Sequence, residues 1–176
     1  MGQGTPAKLT IAGLVVAAML VGVIVTSALA AAPPKTGAPA PAFSLPVIAN
    51  GNGNVSLQGL RGHGIYLNFF ASWCGPCKQE VPYIGKLSKE YARHNVVVVG
   101  VDELEPAEKA KEFAAQYHLP YRVTLDDNGD VGGSYGLIGL PMHVFIACDG
   151  TVAAYRIGEI SEAQLRKQLQ ALSAGH

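Results

Sequence analysis

The stretch that most constrains this chain is Ala71-Ser72-Trp73-Cys74-Gly75-Pro76-Cys77. An apolar run, Ile65-Tyr66-Leu67-Asn68-Phe69-Phe70, precedes it and reads as a buried strand. Lys78 to Leu87 follows and reads as a helix. Two thiols therefore fall at a strand-to-helix junction, with Cys74 at the helix N-terminus. There the free backbone N–H groups and the positive end of the helix dipole favour a thiolate over a thiol. The thiolate is the attacking species in disulfide exchange. Cys77, one helical turn on, stands ready to resolve the mixed disulfide. Reading the pair as two inert small hydrophobes leaves the motif without a reason.

The rest of the chemistry-bearing composition narrows the field. Lys and Arg number 13 and Asp and Glu number 13, so the net charge is zero and nothing favours nucleic acid. Of the 3 cysteines, Cys148 is left over, which excludes an even disulfide framework. Cys148 reads as a small buried hydrophobe inside a strand. With no second Cys-x-x-Cys, a four-ligand structural zinc site is excluded too. The sequence asks for no cofactor and no metal.

Before the motif, residues 1–8 are short and polar. Leu9 to Ala32 then holds no charged side chain over 24 residues, against the roughly 20 that a helix needs to cross a bilayer. Two readings fit: a retained transmembrane anchor, or a signal peptide cleaved after Ala28-Leu29-Ala30. Length favours the anchor, because a signal core runs to about 7–15 apolar residues. Either way the rest of the chain lies outside the cytoplasm, on the periplasmic side of the membrane. Residues 33–41 are rich in Ala and Pro and read as a semi-rigid spacer. Residues 42–174 form the folded domain.

Within that domain, Phe43–Val47 and Val55–Leu57 flank the Asn/Gly tip Asn50–Asn54, a hairpin signal. Pro82 should kink the helix after Cys77, and Asn95 should end it. Val96 to Val101 is β-branched and uncharged, as expected of a strand buried on both faces. Asp102 to Glu105 reads as a loop, and Ala107 to Tyr117 as a helix after Pro106. Arg122–Leu125 reads as a short extended piece, Asp126–Gly129 as a turn and Asp130–Tyr135 as a short helical stretch. His143–Ala147 and Thr151–Arg156 pair across the Asp149-Gly150 turn. Ser161 and Gln164 form a capping box on a final helix striped with Leu165, Leu169 and Leu172. Helices separated by strands, then a hairpin, imply an α/β domain with a mixed sheet.

That order, with Trp73-Cys74-Gly75-Pro76-Cys77 after the long strand and Leu140-Pro141 before the late hairpin, resembles the thioredoxin fold. It is most similar to the membrane-anchored, extracytoplasmic TlpA/ResA/CcmG group of thiol:disulfide oxidoreductases. The matching stretches are Ala42–Leu45, Leu67–Cys77, Glu80-Val81-Pro82 and Tyr135–Pro141. The resemblance implies a thioredoxin fold with an N-terminal hairpin extension and a single transmembrane helix. It implies Cys74 and Cys77 as the catalytic pair and a cis Leu140–Pro141 bond. It also implies substrate contacts at Trp73, Leu140 and Pro141. Thioredoxins bury an Asp where this chain has Asn68, a departure the group shares. The resemblance further implies a Glu near the dithiol. Glu105 matches it, with Glu103 as a rival, and its expected role is proton relay to or from Cys77. Met142 stands where relatives often carry Thr.

The direction of electron flow follows from the two residues between the cysteines. Potentials of such pairs run from about −270 mV to about −120 mV, set mainly by how well the reduced thiolate is stabilised. Gly75-Pro76 brings no charge, so the couple should be reducing. The resemblance implies a membrane thiol transporter of the CcdA/DsbD type as electron donor. It implies apocytochrome c or the cysteines of copper-site assembly proteins as substrates. Two other readings stay open. One is a dithiol oxidant or isomerase of the same fold. The other is a Cu(I)-binding assembly factor using Cys74, Cys77 and His143, for which His143 lies two residues past Pro141. An ordinary strand histidine with one hydrogen bond is the simpler account of His143.

Overall fold

Strand β3, Gly64–Phe70, lies at the centre of the protein, with all 7 of its residues buried. The structure, a computed structural model, describes residues 32–175. The apolar span expected over residues 9–32 lies outside these but for its last residue. Among the described residues no helix is long and apolar enough to cross a membrane.

The strands are β1 (Ser44–Ala49), β2 (Asn54–Ser56), β3, β4 (Val96–Glu103), β5 (Arg122–Asp126), β6 (Met142–Ile146) and β7 (Val152–Ile157). The helices are α1 (Gly75–Tyr91), α2 (Ala107–Gln116), α3 (Asp130–Ser134) and α4 (Glu162–Ala174). The sheet has 7 strands in the order β2-β1-β5-β4-β3-β6-β7. β3, β4 and β5 run parallel, while β1, β2, β6 and β7 pair antiparallel to their neighbours. This is the mixed α/β sheet expected of a thioredoxin fold with an N-terminal hairpin.

Strand alternation divides the core into two layers. Tyr66, Phe70, Val96, Val98 and Phe145 face α1, α2 and α4. Leu67, Phe69, Val99, Val101 and Val144 face the N-terminal hairpin and Tyr135. The hairpin turns at Asn50, whose φ is 61°. The Asn50 amide donates to the carbonyls of Leu119 and Tyr121, which docks the tip onto the entry to β5. Asn95, at φ 59°, closes the helical segment after α1 in the left-handed conformation. The capping box of Ser161 and Gln164 is present.

Three local expectations change. β4 continues through Glu103, so Asp102 and Glu103 are sheet residues rather than loop, paired with Leu125 and Asp126 of β5. Their charge argued for a loop, but the parallel ladder continues past Val101. Cys148 lies in the turn after β6 and is half-buried, because the bonds Ala147 N–H to Thr151 and Gly150 N–H to Ala147 close the hairpin there. Its Sγ lies 3.2 Å from the Gly175 carbonyl. Finally, part of the Ala/Pro stretch is docked. Gly37 and Ala40 donate to Val152 and Gly150, and Ala38 accepts from Val152.

Candidate redox site

The sheet ends abruptly at Phe70, and the chain turns through Ala71-Ser72-Trp73 into α1. Cys74 is the N-cap of that helix in an extended conformation, and its Sγ accepts the Cys77 N–H at 3.2 Å. Pro76 sits in the first turn, where its missing N–H costs nothing. No acidic residue occupies the first turn, so no carboxylate there opposes negative charge on Cys74. The two sulfurs are joined as a disulfide. Both cysteines are 3% exposed, whereas Trp73 beside them is 68% exposed.

Register brings the second loop to the same end. Met142 pairs with Phe69, so Leu140-Pro141 comes beside the C-terminal end of β3. The Leu140–Pro141 bond is cis. Leu140 packs against the cluster that holds Cys74 and Cys77. Among the described residues the exposed large apolar side chains are Trp73, Leu104 and Ile138. All three lie in loops at this end of the sheet.

Glu105 reaches the loop before the dithiol. One of its oxygens accepts the Ser72 N–H and the other the Ser72 hydroxyl, both at 2.6 Å. Burial pushes its pKa upward. Hydrogen bonds from Asp102 and Ser72, with Lys109 nearby, outweigh burial and hold Glu105 below the ordinary carboxylate value. Asp102 is raised to about 9 by burial, by its hydrogen bond to Glu105 and by the charges of Glu105 and Glu103. Asp102 therefore keeps its proton beside an ionised Glu105. Glu103 lies on the other face of the sheet, the face that carries Val99 and Val101. It is raised to about 9 by burial and by Asp126, whose Oδ2 accepts the Gly132 N–H at 2.7 Å. A Cβ at position 132 would lie 2.6 Å from Glu103 Oε2, so only glycine fits beside this acid. Of the two acids the sequence offered, Glu105 and not Glu103 touches the active-site loop.

A second carboxylate, which sequence reasoning did not single out, lies inside the helix itself. Glu80 follows Cys77 by one turn and is 1% exposed. Its Oε1 accepts the Ile160 N–H at 2.8 Å, and its Oε2 has no hydrogen-bond partner. Burial raises its pKa to about 7. The signal was available: Cys77, Glu80, Ile84, Leu87 and Tyr91 form one buried helical stripe, and a carboxylate within it cannot be a solvated surface residue. Under that stripe lies His143, fully buried, with Nδ1 2.8 Å from the Tyr66 hydroxyl and Nε2 3.6 Å from Glu80 Oε2. Burial, with the positive charge of Arg156, lowers its pKa to about 4 against the raising effect of the Gly158 carbonyl. His143 is thus neutral and is turned to Tyr66 and Glu80. Among the described residues no group of three or more His, Cys, Asp or Glu side chains is placed to hold a metal ion.

The sequence pattern of the Redoxin family matches residues 35–169. This chain belongs to the Redoxin family. Within it, the chain is 34% identical over 119 residues to the thiol-disulfide oxidoreductase ResA of Bacillus thuringiensis subsp. konkukian, covering 68% of this chain and 69% of that one. It is 32% identical over 136 residues to the thiol:disulfide interchange protein DsbE of Pseudomonas fluorescens, covering 77% and 74%. A crystal structure of a thiol:disulfide interchange protein of the thioredoxin family from Chlorobium tepidum superposes with a TM-score of 0.69 at 25% identity, covering 81% and 99%. A second crystal structure from Chlorobium tepidum gives a TM-score of 0.74 at 31% identity, covering 80% and 99%. This Redoxin is a thiol-disulfide oxidoreductase of the ResA/DsbE type, with Cys74 and Cys77 as its disulfide.

Proposed function

We propose that this oxidoreductase is a reductant of protein disulfides, held at the outer face of the cytoplasmic membrane by its N-terminal apolar span. The observation that carries the reductive direction is the surroundings of Cys74. The helix N-terminus and the Cys77 N–H support a thiolate, but Gly75-Pro76 adds no charge. That modest support keeps the reduced form from being overstabilised, which keeps the potential low. The exposed Trp73 and the Leu140-Pro141 loop flank the sulfurs and serve as the contact for an extended substrate segment. Cys74 attacks the substrate disulfide, and Cys77 resolves the mixed disulfide. Glu80 and Glu105 are the carboxylates that serve this pair. Glu80, one turn from Cys77, takes the proton of the resolving thiol. Glu105, held as an anion by Ser72, anchors the loop before Cys74.

The sequence resemblance supports apocytochrome c or copper-site assembly proteins as substrates, and a membrane thiol transporter of the CcdA/DsbD type as donor. The reduction potential of the pair, measured on the full chain in a thiol buffer series, tests the direction. A value near or below about −220 mV is expected. A value near about −120 mV would make the protein an oxidant and reverse the reading of Gly75-Pro76.

A further inference from the structure

The face of the sheet beneath α1 holds more polar groups than a core layer needs. His143 of β6 lies directly across from Asn68 of β3 in the ladder, and both point toward the helix. Each is at least nine-tenths buried, as are Tyr66 and Glu80. Three of their polar atoms are unsatisfied, Asn68 Oδ1, Glu80 Oε2 and His143 Nε2, and the last two lie 3.6 Å apart. Leaving buried polar atoms without partners is costly. An arrangement that keeps them is an arrangement with a use or a compensating contact.

The ring is oriented from behind. Tyr66 Oη lies 2.8 Å from Nδ1. When the tyrosine donates, Nδ1 is the acceptor and Nε2 carries the proton, aimed at the Glu80 carboxylate. When Glu80 is protonated, its acid proton faces Nε2 and the ring proton moves to Nδ1, donated to the tyrosine oxygen. Either state gives the 3.6 Å gap one donor and one acceptor, which a small closing movement would join, without an imidazolium, which this buried site disfavours. The other ionisable groups facing Glu80 are Arg156 of β7, Glu159 after it, Tyr83 of its own helix, Tyr66 of β3 and Tyr121 at the entry to β5. The Gly158 carbonyl and Arg156 face the ring from the β7 side.

We propose that His143 is a positioning residue for the resolving step: fixed by Tyr66, its ring steadies the Glu80 carboxylate that receives the Cys77 proton. The proposal rests on the dithiol mechanism above and deepens it. Cys74 thiolate first forms a disulfide with one substrate sulfur, and the other substrate sulfur leaves with the electron pair of the broken bond and takes a proton from water. Cys77 then gives its proton to Glu80. The Cys77 thiolate attacks Cys74 Sγ, the bond to the substrate breaks, and the second substrate sulfur leaves with that electron pair and is protonated in turn. The protein loses two electrons, and the substrate disulfide gains them. His143 neither gains nor loses charge. By donating to ionised Glu80, it lowers the pH at which that carboxylate becomes a base.

The test is the pH profile of the resolving step, followed by stopped-flow on the preformed mixed disulfide of the full chain with a cysteine peptide. His143→Phe keeps a planar ring and removes both nitrogens. Its profile is expected to move up by about one pH unit, a tenfold slower step on the acid side of the profile. His143→Gln, whose amide donates at similar reach, should restore most of the shift. Tyr66→Phe should shift the profile in the same direction by less. A purely structural histidine lowers the rate at every pH and leaves the midpoint in place. That outcome, or a Gln variant shifted as far as the Phe variant, overturns the proposal. If His143→Phe does not fold, the Gln and Tyr66→Phe profiles decide by the same criteria. Failure of the parent chain to exchange with any disulfide would instead overturn the dithiol reading itself.

Discussion

Two carboxylates lie beside the Cys74–Cys77 segment on different elements, Glu105 through Ser72 and Glu80 one turn past Cys77, and their surroundings differ in one respect. Glu105 is fed by two donors, the Ser72 N–H and the Ser72 hydroxyl, with the Asp102 acid beside it. Glu80 is fed by one backbone donor, with its second oxygen turned toward a neutral imidazole at 3.6 Å. Both are buried, yet the first is held below the ordinary carboxylate range and the second rises to about 7. Burial alone does not set the charge of an acid; the number of donors that come with the burial does. A saturated carboxylate is a fixed anion that anchors a loop. A half-satisfied one changes its proton near neutral pH, where a proton acceptor for a thiol is most effective.

The largest test of this contrast is Glu80→Gln. It should slow the resolving step by about 100-fold, the scale of a lost general base. It should also erase the inflection near pH 7 in the rate profile. An inflection that survives would move the titrating group elsewhere and collapse the distinction. Glu105→Gln should act more mildly, by about tenfold on exchange, because it loosens the Ser72 loop rather than removing the group near Cys77. Its stability effect has a definite sign. A lowered folded-state pKa gives stability that is present above the ordinary carboxylate value and is lost as pH falls through the lowered one. Denaturant titrations should therefore show a flatter acid limb for Glu105→Gln. If this variant leaves the pH dependence of thiol reactivity unchanged, Glu105 anchors the loop and relays no proton.

The smallest effect concerns the acid behind Glu105. Asp102 has a folded pKa of about 9, above its unfolded value of about 3.9. The folded state thus binds the proton more tightly, and stability falls as pH rises between those two values. Asp102→Asn should flatten that slope and raise the melting temperature at pH 8, while leaving it unchanged near pH 3. An unchanged slope would mean that Asp102 carries its charge when folded.

The sequence showed these features unevenly, and for physical reasons. Local signals were complete in themselves: the Asn50 tip, the Asn95 stop, the Ser161–Gln164 box and the placement of Cys74 all depend on nearby residues. Long-range signals were not. Asp102 and Glu103 carry charge at the end of an apolar run, and only pairing with β5 shows that the strand continues through them. Glu80 shares a helical stripe with Cys77 and Ile84, so its burial was legible, but its approach to His143 depends on α1 packing over the sheet. Cys148 follows an apolar run that reads as strand, and only the bonds of Ala147 with Thr151 and Gly150 show that the hairpin turns there.

The docked stretch Gly37–Ala40 has a consequence for reach. It joins the domain beside Val152, where β7 starts, and β7 starts at the end of the sheet away from Cys74. The 7 residues of β3 separate the two ends, about 23 Å at the rise of a strand. Anything N-terminal to that stretch therefore grips the molecule at the pole opposite its sulfurs. Swung from that pole, the domain carries its dithiol outward like a lamp on a bracket. Releasing the three backbone bonds at Val152 and Gly150 would lengthen the bracket by about 13 Å.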